Sequence, residues 1–336
     1  MEVLVAGGIG YIGSHTCVKM IESGMQPIIV DSLLNAKVEV LSRIEALTGK
    51  KPIFYQGDIR DEIFLDMVFR SHKIQSVLHF AGLKSVSESV LEPLRYYDNN
   101  VNGSLVLIRS MRKAGVKSIV FSSSAVVYGH SDVMPVTESF LTGMTTNPYA
   151  CTKYIVERCL TDLFASESDW SITLLRYFNP VGAHPSGVIG EDPKGIPSNL
   201  MPIITQVAIG RREYLSVFGN DYPTPDGTGI RDYIHIMDLV EGHVVALESI
   251  SGKSGLRVYN LGTGKGFSVF EMIEIFNQVC GVRIPYQICQ RRLGDIAECW
   301  ANPEKAKHDL GWTAKRSMIE IMEDTWRWQL KNPDGY

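Results

Sequence analysis

The chain has 336 residues, 45% hydrophobic and 21% charged, enough apolar material for a large core shared between two lobes. Its formal net charge of −4 and pI near 6.1 argue against a nucleic-acid or anionic-membrane partner. Six cysteines without Cys-x-x-Cys spacing, and no His/Cys group at ligand spacing, point to reduced thiols in a cytoplasmic protein without a metal site.

No apolar run is long enough to span a bilayer, and the N-terminal residues read as a strand rather than a signal peptide. That strand, Glu2 to Ala6, runs into Gly7-Gly8-Ile9-Gly10-Tyr11-Ile12-Gly13, and helical periodicity follows from Ser14 to Ser23. A strand, a glycine turn and a helix form the phosphate-cradling half of a βαβ unit. Gly7, Gly10 and Gly13 would let the backbone approach a pyrophosphate at the positive end of the helix. A second strand, Pro27 to Val30, ends in Asp31, a carboxylate placed to accept from ribose hydroxyls and to repel a 2′-phosphate. That favours NAD over NADP.

Further strands are predicted at Pro52–Tyr55, ending in Gly57-Asp58-Ile59, and at Ser76–Phe80, ending in Ala81-Gly82-Leu83-Lys84. Helices are predicted over 61–71 and, as one long element, over Pro93–Ala114 with Asn99 and Asn102 as polar interruptions. The apolar run from Ile119 ends in Ser122, Ser123 and Ser124; a polar loop, a helix over 149–167 and a strand at Ile172–Arg176 follow. This alternation implies an α/β fold, a doubly wound parallel Rossmann sheet whose ligands lie beyond the strand carboxyl ends. Tyr149 and Lys153, four apart on a helix opened by Pro148, share one face and would meet the strand-end serines as an acid/base unit.

Past residue 180 the pattern loosens into a Gly- and Pro-rich stretch to 229, then returns as Arg231-Asp232-Tyr233-Ile234-His235, a helix from Met237 to about Ile250 and a strand Val258–Leu261. The expected division is an NAD-binding domain over 1–180, rejoined by 231–262, and a smaller α/β substrate domain over 181–336. Helices at 268–280 and 317–330 complete the second part, and Arg231 and Arg292 are its phosphate-seeking cations.

Taken together, the residues resemble the extended short-chain dehydrogenase/reductase family and, within it, the UDP-glucose (UDP-galactose) 4-epimerases. The resemblance spans nearly the whole chain. It rests on the glycine turn, His79-Phe80-Ala81-Gly82-Leu83-Lys84, Tyr96-Tyr97-Asp98-Asn99-Asn100, Ser122-Ser123-Ser124-Ala125 and Tyr149-x-x-x-Lys153. Asn199-Leu200-Met201-Pro202 and the 231–235 run belong to it too, and the run from Tyr177 to Pro185 is more particular to the epimerases.

The resemblance implies tightly bound NAD and a UDP-hexose substrate. Tyr11, Ile12, Asp31, Ser32, Asn35, Ala36, Asp58, Ile59, Phe80, Ala81, Gly82, Leu83, Lys84, Asn99, Ser122, Tyr149, Lys153, Tyr177 and Phe178 would contact the dinucleotide. Ser124, Asn179, Asn199, Leu200, Ser216, Val217, Phe218, Arg231, Arg292, Asp295 and Cys299 would hold the UDP-sugar. It also implies a homodimer joined through the 93–114 and 149–167 helices. Catalysis would fall to Tyr149 as base, Lys153 as its cationic partner and Ser124 as proton relay; lowering the phenol from about 10 to about 7 requires roughly 4 kcal/mol.

Four positions depart from the family pattern. Val126 stands where Thr is common, and Ser32 and Ala36 replace Asn and Ser beside Asp31. Cys299 replaces a bulky Tyr, which implies room for 2-acetamido sugars. A 4,6-dehydratase would need an Asp-Glu pair, and a decarboxylase a carboxylate, where this chain has Ala125-Val126; a non-catalytic NAD sensor would have no use for the Tyr/Lys pair.

Overall fold

A strand with apolar residues at every position must be covered on both faces, and alternating helices supply that cover. In the computed structural model, which describes residues 1–336 except 132, 196, 198, 251 and 293, six strands so covered lie within the first 177 residues. They are β1 (Glu2–Ala6), β2 (Gln26–Asp31), β3 (Ile53–Gln56), β4 (Ile74–His79), β5 (Ser118–Ser124) and β6 (Ser171–Tyr177). With Gly255–Leu261 they form a seven-stranded sheet in the order Gly255–Leu261, β6, β5, β4, β1, β2, β3. Every neighbouring pair is parallel. The chain starts in the middle and winds outward in both directions, so the strand order reverses beside β1 and a crevice opens at its carboxyl end.

Side-chain alternation divides the core. Val3, Val5 and Ile29 enter one buried cluster with Val18, Met20 and Leu239; Leu4, Ala6, Ile28 and Val30 enter the other with Leu65, Leu107 and Trp170. The strand Gly255–Leu261 adds to the β6 edge, in register from Gly255 opposite Ser171 to Leu261 opposite Tyr177.

The single helix predicted from Pro93 to Ala114 is not regular. It is α-helical over Pro93–Tyr96, π-helical over Tyr97–Asn102 and α-helical again over Gly103–Ala114. The wider turn seats the buried Asn100 side chain, whose Oδ1 accepts from Leu83 N at 2.8 Å and whose Nδ2 donates to Leu83 O and Thr152 Oγ1, both at 3.0 Å. Such π segments recur at functional sites, and this one faces the crevice.

The helix Pro148–Ser166 starts as expected, with Pro148 in its first turn, and Asn147 caps it by accepting from Ala150 N at 2.9 Å. Beyond β6 the chain forms short strand pairs: Asn179–Val181 with Tyr233–His235, Leu215–Phe218 with Tyr286–Cys289, and Ile230–Arg231 between Phe267–Ser268 and Glu298–Cys299. They surround a separate core that includes Met201, Phe276 and Met322. Capping boxes at Ser268 and Ser317 start the helices Val269–Cys280 and Met318–Lys331. Asp232 ties this region together: its buried carboxylate accepts from Thr263 N at 2.9 Å, Thr263 Oγ1 at 2.7 Å and Gly264 N and Ala301 N at 3.1 Å.

Among the described residues no helix is long and apolar enough to cross a membrane.

Candidate active site

The crevice at the carboxyl ends of the strands is lined first by the glycine turn. Gly7 has φ +79°, and a Cβ there would lie 2.6 Å from Ala81 N. At Gly13 a Cβ would lie 2.2 Å from the Gly7 carbonyl oxygen, so a side chain at Gly13 would push the turn away from the helix it opens, and one at Gly7 would push it away from the backbone that follows β4. The cradle therefore fits a dinucleotide pyrophosphate laid against the start of Tyr11–Glu22. A Gly13→Ala variant is expected to purify with little or no bound dinucleotide, measured by releasing the cofactor and comparing its absorbance with the protein's.

At the far end of the turn Asp31 is buried. It accepts from Leu33 N at 2.9 Å and Ile9 N at 3.3 Å, which orients the carboxylate toward the crevice. Burial nevertheless raises its carboxyl above the ordinary value. Gly10, Tyr11, Ile12, Ser32, Asn35, Ala36, Asp58 and Ile59 continue this half of the lining. Phe80, Ala81, Gly82, Leu83, Lys84 and Asn99 cross its middle. Ser124, Tyr149, Lys153, Tyr177, Phe178, Asn179 and Asn199 close the other half.

Ser122 lies below this surface. Its hydroxyl bonds the Tyr177 hydroxyl, and its carbonyl accepts from Lys153 Nζ at 2.7 Å. Lys153 also sits 4.9 Å from the centre of the Phe121 ring. Burial lowers the ammonium from its ordinary value to about 8, with Glu157 opposing. Burial also pushes the Tyr149 phenol up to about 12, while its hydrogen bond with Ser124 pulls the other way. Without a bound dinucleotide, desolvation thus dominates the phenol, and the Lys153 ammonium is directed at a backbone carbonyl.

Eight expected sugar-nucleotide residues do not line this crevice: Leu200, Ser216, Val217, Phe218, Arg231, Arg292, Asp295 and Cys299. Several of them gather in the second lobe. The Arg292 guanidinium lies 4.6 Å from the centre of the Phe218 ring and its Nε is 3.2 Å from Asp295. Arg231 is anchored on the carbonyls of Ile296 at 2.8 Å and Ile230 at 2.9 Å. Cys299 pairs in register with Arg231 and packs in an apolar cluster with Ala125 and Phe178, the latter a crevice residue. Burial pushes its thiol up to about 11.

Sequence reasoning missed the strap that crosses the crevice mouth. Glu191 accepts from Lys84 Nζ at 2.8 Å and from Asn199 Nδ2 at 2.7 Å, joining one residue expected on the cofactor to one expected on the substrate. Asp192 accepts from Lys37 Nζ at 2.6 Å and from Tyr336 N at 2.7 Å. Apart from Asn199, these partners lie more than 100 residues away in sequence, and no local pattern announces them.

The sequence profile of the family described as GDP-mannose 4,6 dehydratase matches residues 4–325. A UDP-glucose 4-epimerase of Yersinia pestis is 55% identical over 100% of this chain and 99% of its own. The chain belongs to the UDP-glucose 4-epimerase family, within the extended short-chain dehydrogenases/reductases. As a family of isomerases it is also represented by solved structures. The UDP-glucose 4-epimerase of Bifidobacterium longum, in complex with NAD+ and UDP, superimposes with a TM-score of 0.98 at 49% identity over 100% of both chains. That of Stenotrophomonas maltophila, with bound NAD and formylated UDP-arabinopyranose, gives 0.96 at 50% identity over 99% of both.

Proposed function

We propose that the chain inverts C4 of UDP-hexoses by NAD-dependent epimerisation through a transient 4-keto sugar. The observation that carries this reading is the convergence of Ser124, Tyr149 and Lys153 on the same crevice as the glycine turn and Asp31. NAD held there would supply the hydride chemistry, as acceptor from C4 and donor back to the opposite face. Gly7, Gly10 and Gly13 would cradle its pyrophosphate and Asp31 its ribose. Tyr149 removes the 4-hydroxyl proton as hydride leaves, and Ser124 holds the 4-oxygen and relays the proton. Lys153 supplies positive charge beside the phenolate and a donor for the nicotinamide ribose.

In the second lobe Arg231 and Arg292 would pair with the UDP phosphates, with Phe218 beneath Arg292. Gripping the nucleotide and leaving the hexose loosely held lets the keto sugar turn over between the two hydride transfers. A dehydratase reading is disfavoured by Ala125 and Val126, apolar side chains where that chemistry needs acid/base groups. Cys299 supports acceptance of UDP-GlcNAc and UDP-GalNAc beside UDP-Glc and UDP-Gal, because a thiol leaves space that a phenol would fill.

The division into 1–180 with 231–262 and into 181–336, a cytoplasmic location and a homodimer through the 93–114 and 149–167 helices belong to the same proposal. Leu94, 82% exposed in the first of those helices, is the apolar surface a partner copy would cover. The deciding experiment incubates the protein with UDP-galactose deuterated at C4 and follows UDP-glucose by NMR. The label should reappear at C4 of the product. Wash-out into solvent, or no conversion, would refute the reading.

A further inference from the structure

Behind the proposed trio lies a buried ion pair that the chemistry above does not use. Glu157 is 4% exposed and Arg176 6%. Glu157 follows Lys153 by one turn of the helix Pro148–Ser166, so the two side chains share a face. Its Oε1 accepts from the Ser123 hydroxyl at 2.5 Å and from Arg176 Nε at 2.9 Å; its Oε2 accepts from Arg176 Nη2 at 2.7 Å. Arg176 Nη1 donates to the Tyr128 hydroxyl at 3.2 Å, which donates to Asn260 Oδ1 at 2.6 Å.

Ser123 and Arg176 are register partners on β5 and β6. Residues on either side of them in a strand point to the opposite face. Those neighbours are Ser122, whose carbonyl receives Lys153, Ser124, which bonds Tyr149, and Tyr177, which bonds Ser122. One carboxylate therefore ties the helix to both strands at the level where the site is built.

We propose that Glu157 is a positioning residue for the reaction: through Ser123 and Arg176 it fixes the strand ends that present Ser122, Ser124 and Tyr177, and it sets a negative charge behind Lys153. The inference rests on the epimerase reading. Stability alone does not account for the pair, because a buried ion pair contributes little over apolar residues of the same volume. What it adds is direction, since its hydrogen bonds to Ser123 and Arg176 hold one arrangement of both strands.

Its charge acts on Lys153 as well. The charged and titratable groups acting on that ammonium are Glu157 from its own helix and His79 from β4; Arg176 on β6 pairs with Glu157, and the Tyr177 phenol faces Tyr149. Burial and Lys153 together push His79 down to about 3, so it stays neutral, and burial raises the Tyr177 phenol. Glu157 is thus the anion of this set, and it opposes the downward pull of burial on Lys153.

The test compares wild type, Glu157→Gln, Glu157→Asp and the uncharged double variant Glu157→Gln/Arg176→Gln, each as purified NAD-loaded protein with UDP-galactose. Glu157→Gln should lose about 100-fold in kcat with KM within about threefold and NAD content unchanged. Its basic limb should move to lower pH, because without the carboxylate the ammonium deprotonates sooner. Glu157→Asp should restore the limb and part of kcat. The double variant, freed of an unpaired buried charge, should regain thermal stability and not kcat.

A folded Glu157→Gln that keeps kcat within about twofold and leaves the limb in place overturns the inference. So does a kcat that returns with stability in the double variant. A wild type that holds NAD and turns over no UDP-hexose overturns the epimerase reading itself, and the inference with it.

Discussion

A Tyr149→Phe variant is expected to keep its dinucleotide and to lose about a thousandfold in kcat. The phenyl ring fills the same half-buried space at the crevice wall, so packing and the glycine cradle are unaffected, and what disappears is one ionisable oxygen. The size of the effect follows from how hard that oxygen is to ionise. Burial holds the phenol at about 12. Working at about pH 7 therefore takes roughly 7 kcal/mol of differential stabilisation, more than an exposed tyrosine would need.

Ser124 supplies part of it through its hydrogen bond. The rest must come from positive charge close to the ring, which the oxidised nicotinamide and Lys153 can provide in a site of low dielectric. The measurement is steady-state turnover of UDP-galactose together with the cofactor content of the purified variant. An unchanged kcat would remove Tyr149 from the mechanism. Loss of both NAD and turnover would assign the residue to cofactor binding.

Cys299→Tyr should lower kcat/KM for UDP-GlcNAc by about 100-fold and change UDP-Glc by only a few-fold. Cys299 is 8% exposed and packs against Ala125, Tyr128, Val136, Phe178 and Ala301. Its position is rigid: the strand Glu298–Cys299 is paired with Ile230–Arg231, Asp232 N donates to the Cys299 carbonyl at 3.1 Å, and the buried Asp232 carboxylate holds the next turn through Ala301 N. A phenol there cannot retreat by moving the backbone, so its extra bulk must project toward the sugar or break the cluster. Acetamido and hydroxyl groups at C2 differ in size, and a pocket distinguishes them by exclusion. Initial rates for both sugar pairs on wild type and variant decide it, with melting temperature as the control for a disrupted cluster. Full acetamido-sugar activity in a stable Cys299→Tyr would defeat the size argument.

Much of the first half of the molecule could be read before any coordinates. The run Glu2–Ala6, the glycine turn, Asp31, the serines ending at Ser124 and the Tyr149/Lys153 spacing are local patterns. A parallel sheet with a strand-order reversal necessarily brings strand carboxyl ends together. Pro148 opening a helix is equally local, because its fixed φ and missing N–H suit one position. The short strands of the second lobe were harder to see. Two- to four-residue pieces such as Ile230–Arg231 and Glu298–Cys299 have no periodicity of their own and exist because a distant partner completes the ladder.

The sequence by itself determined the kind of fold and placed the glycine turn, Asp31, Ser124, Tyr149 and Lys153 at its crevice, since strand alternation, glycine spacing and helical i, i+4 geometry depend only on neighbours along the chain. Tertiary structure alone decided how those groups are held and charged. The π turn at Tyr97–Asn102 forms because Asn100 finds Leu83 and Thr152. Glu191 reaches across to Lys84, and Glu157 meets Ser123 and Arg176. The pKa directions of Tyr149 and Lys153 likewise arise from burial by elements remote in sequence. Desolvation and long-range hydrogen bonds are properties of the packed assembly, and no stretch of chain carries them until the rest has closed around it.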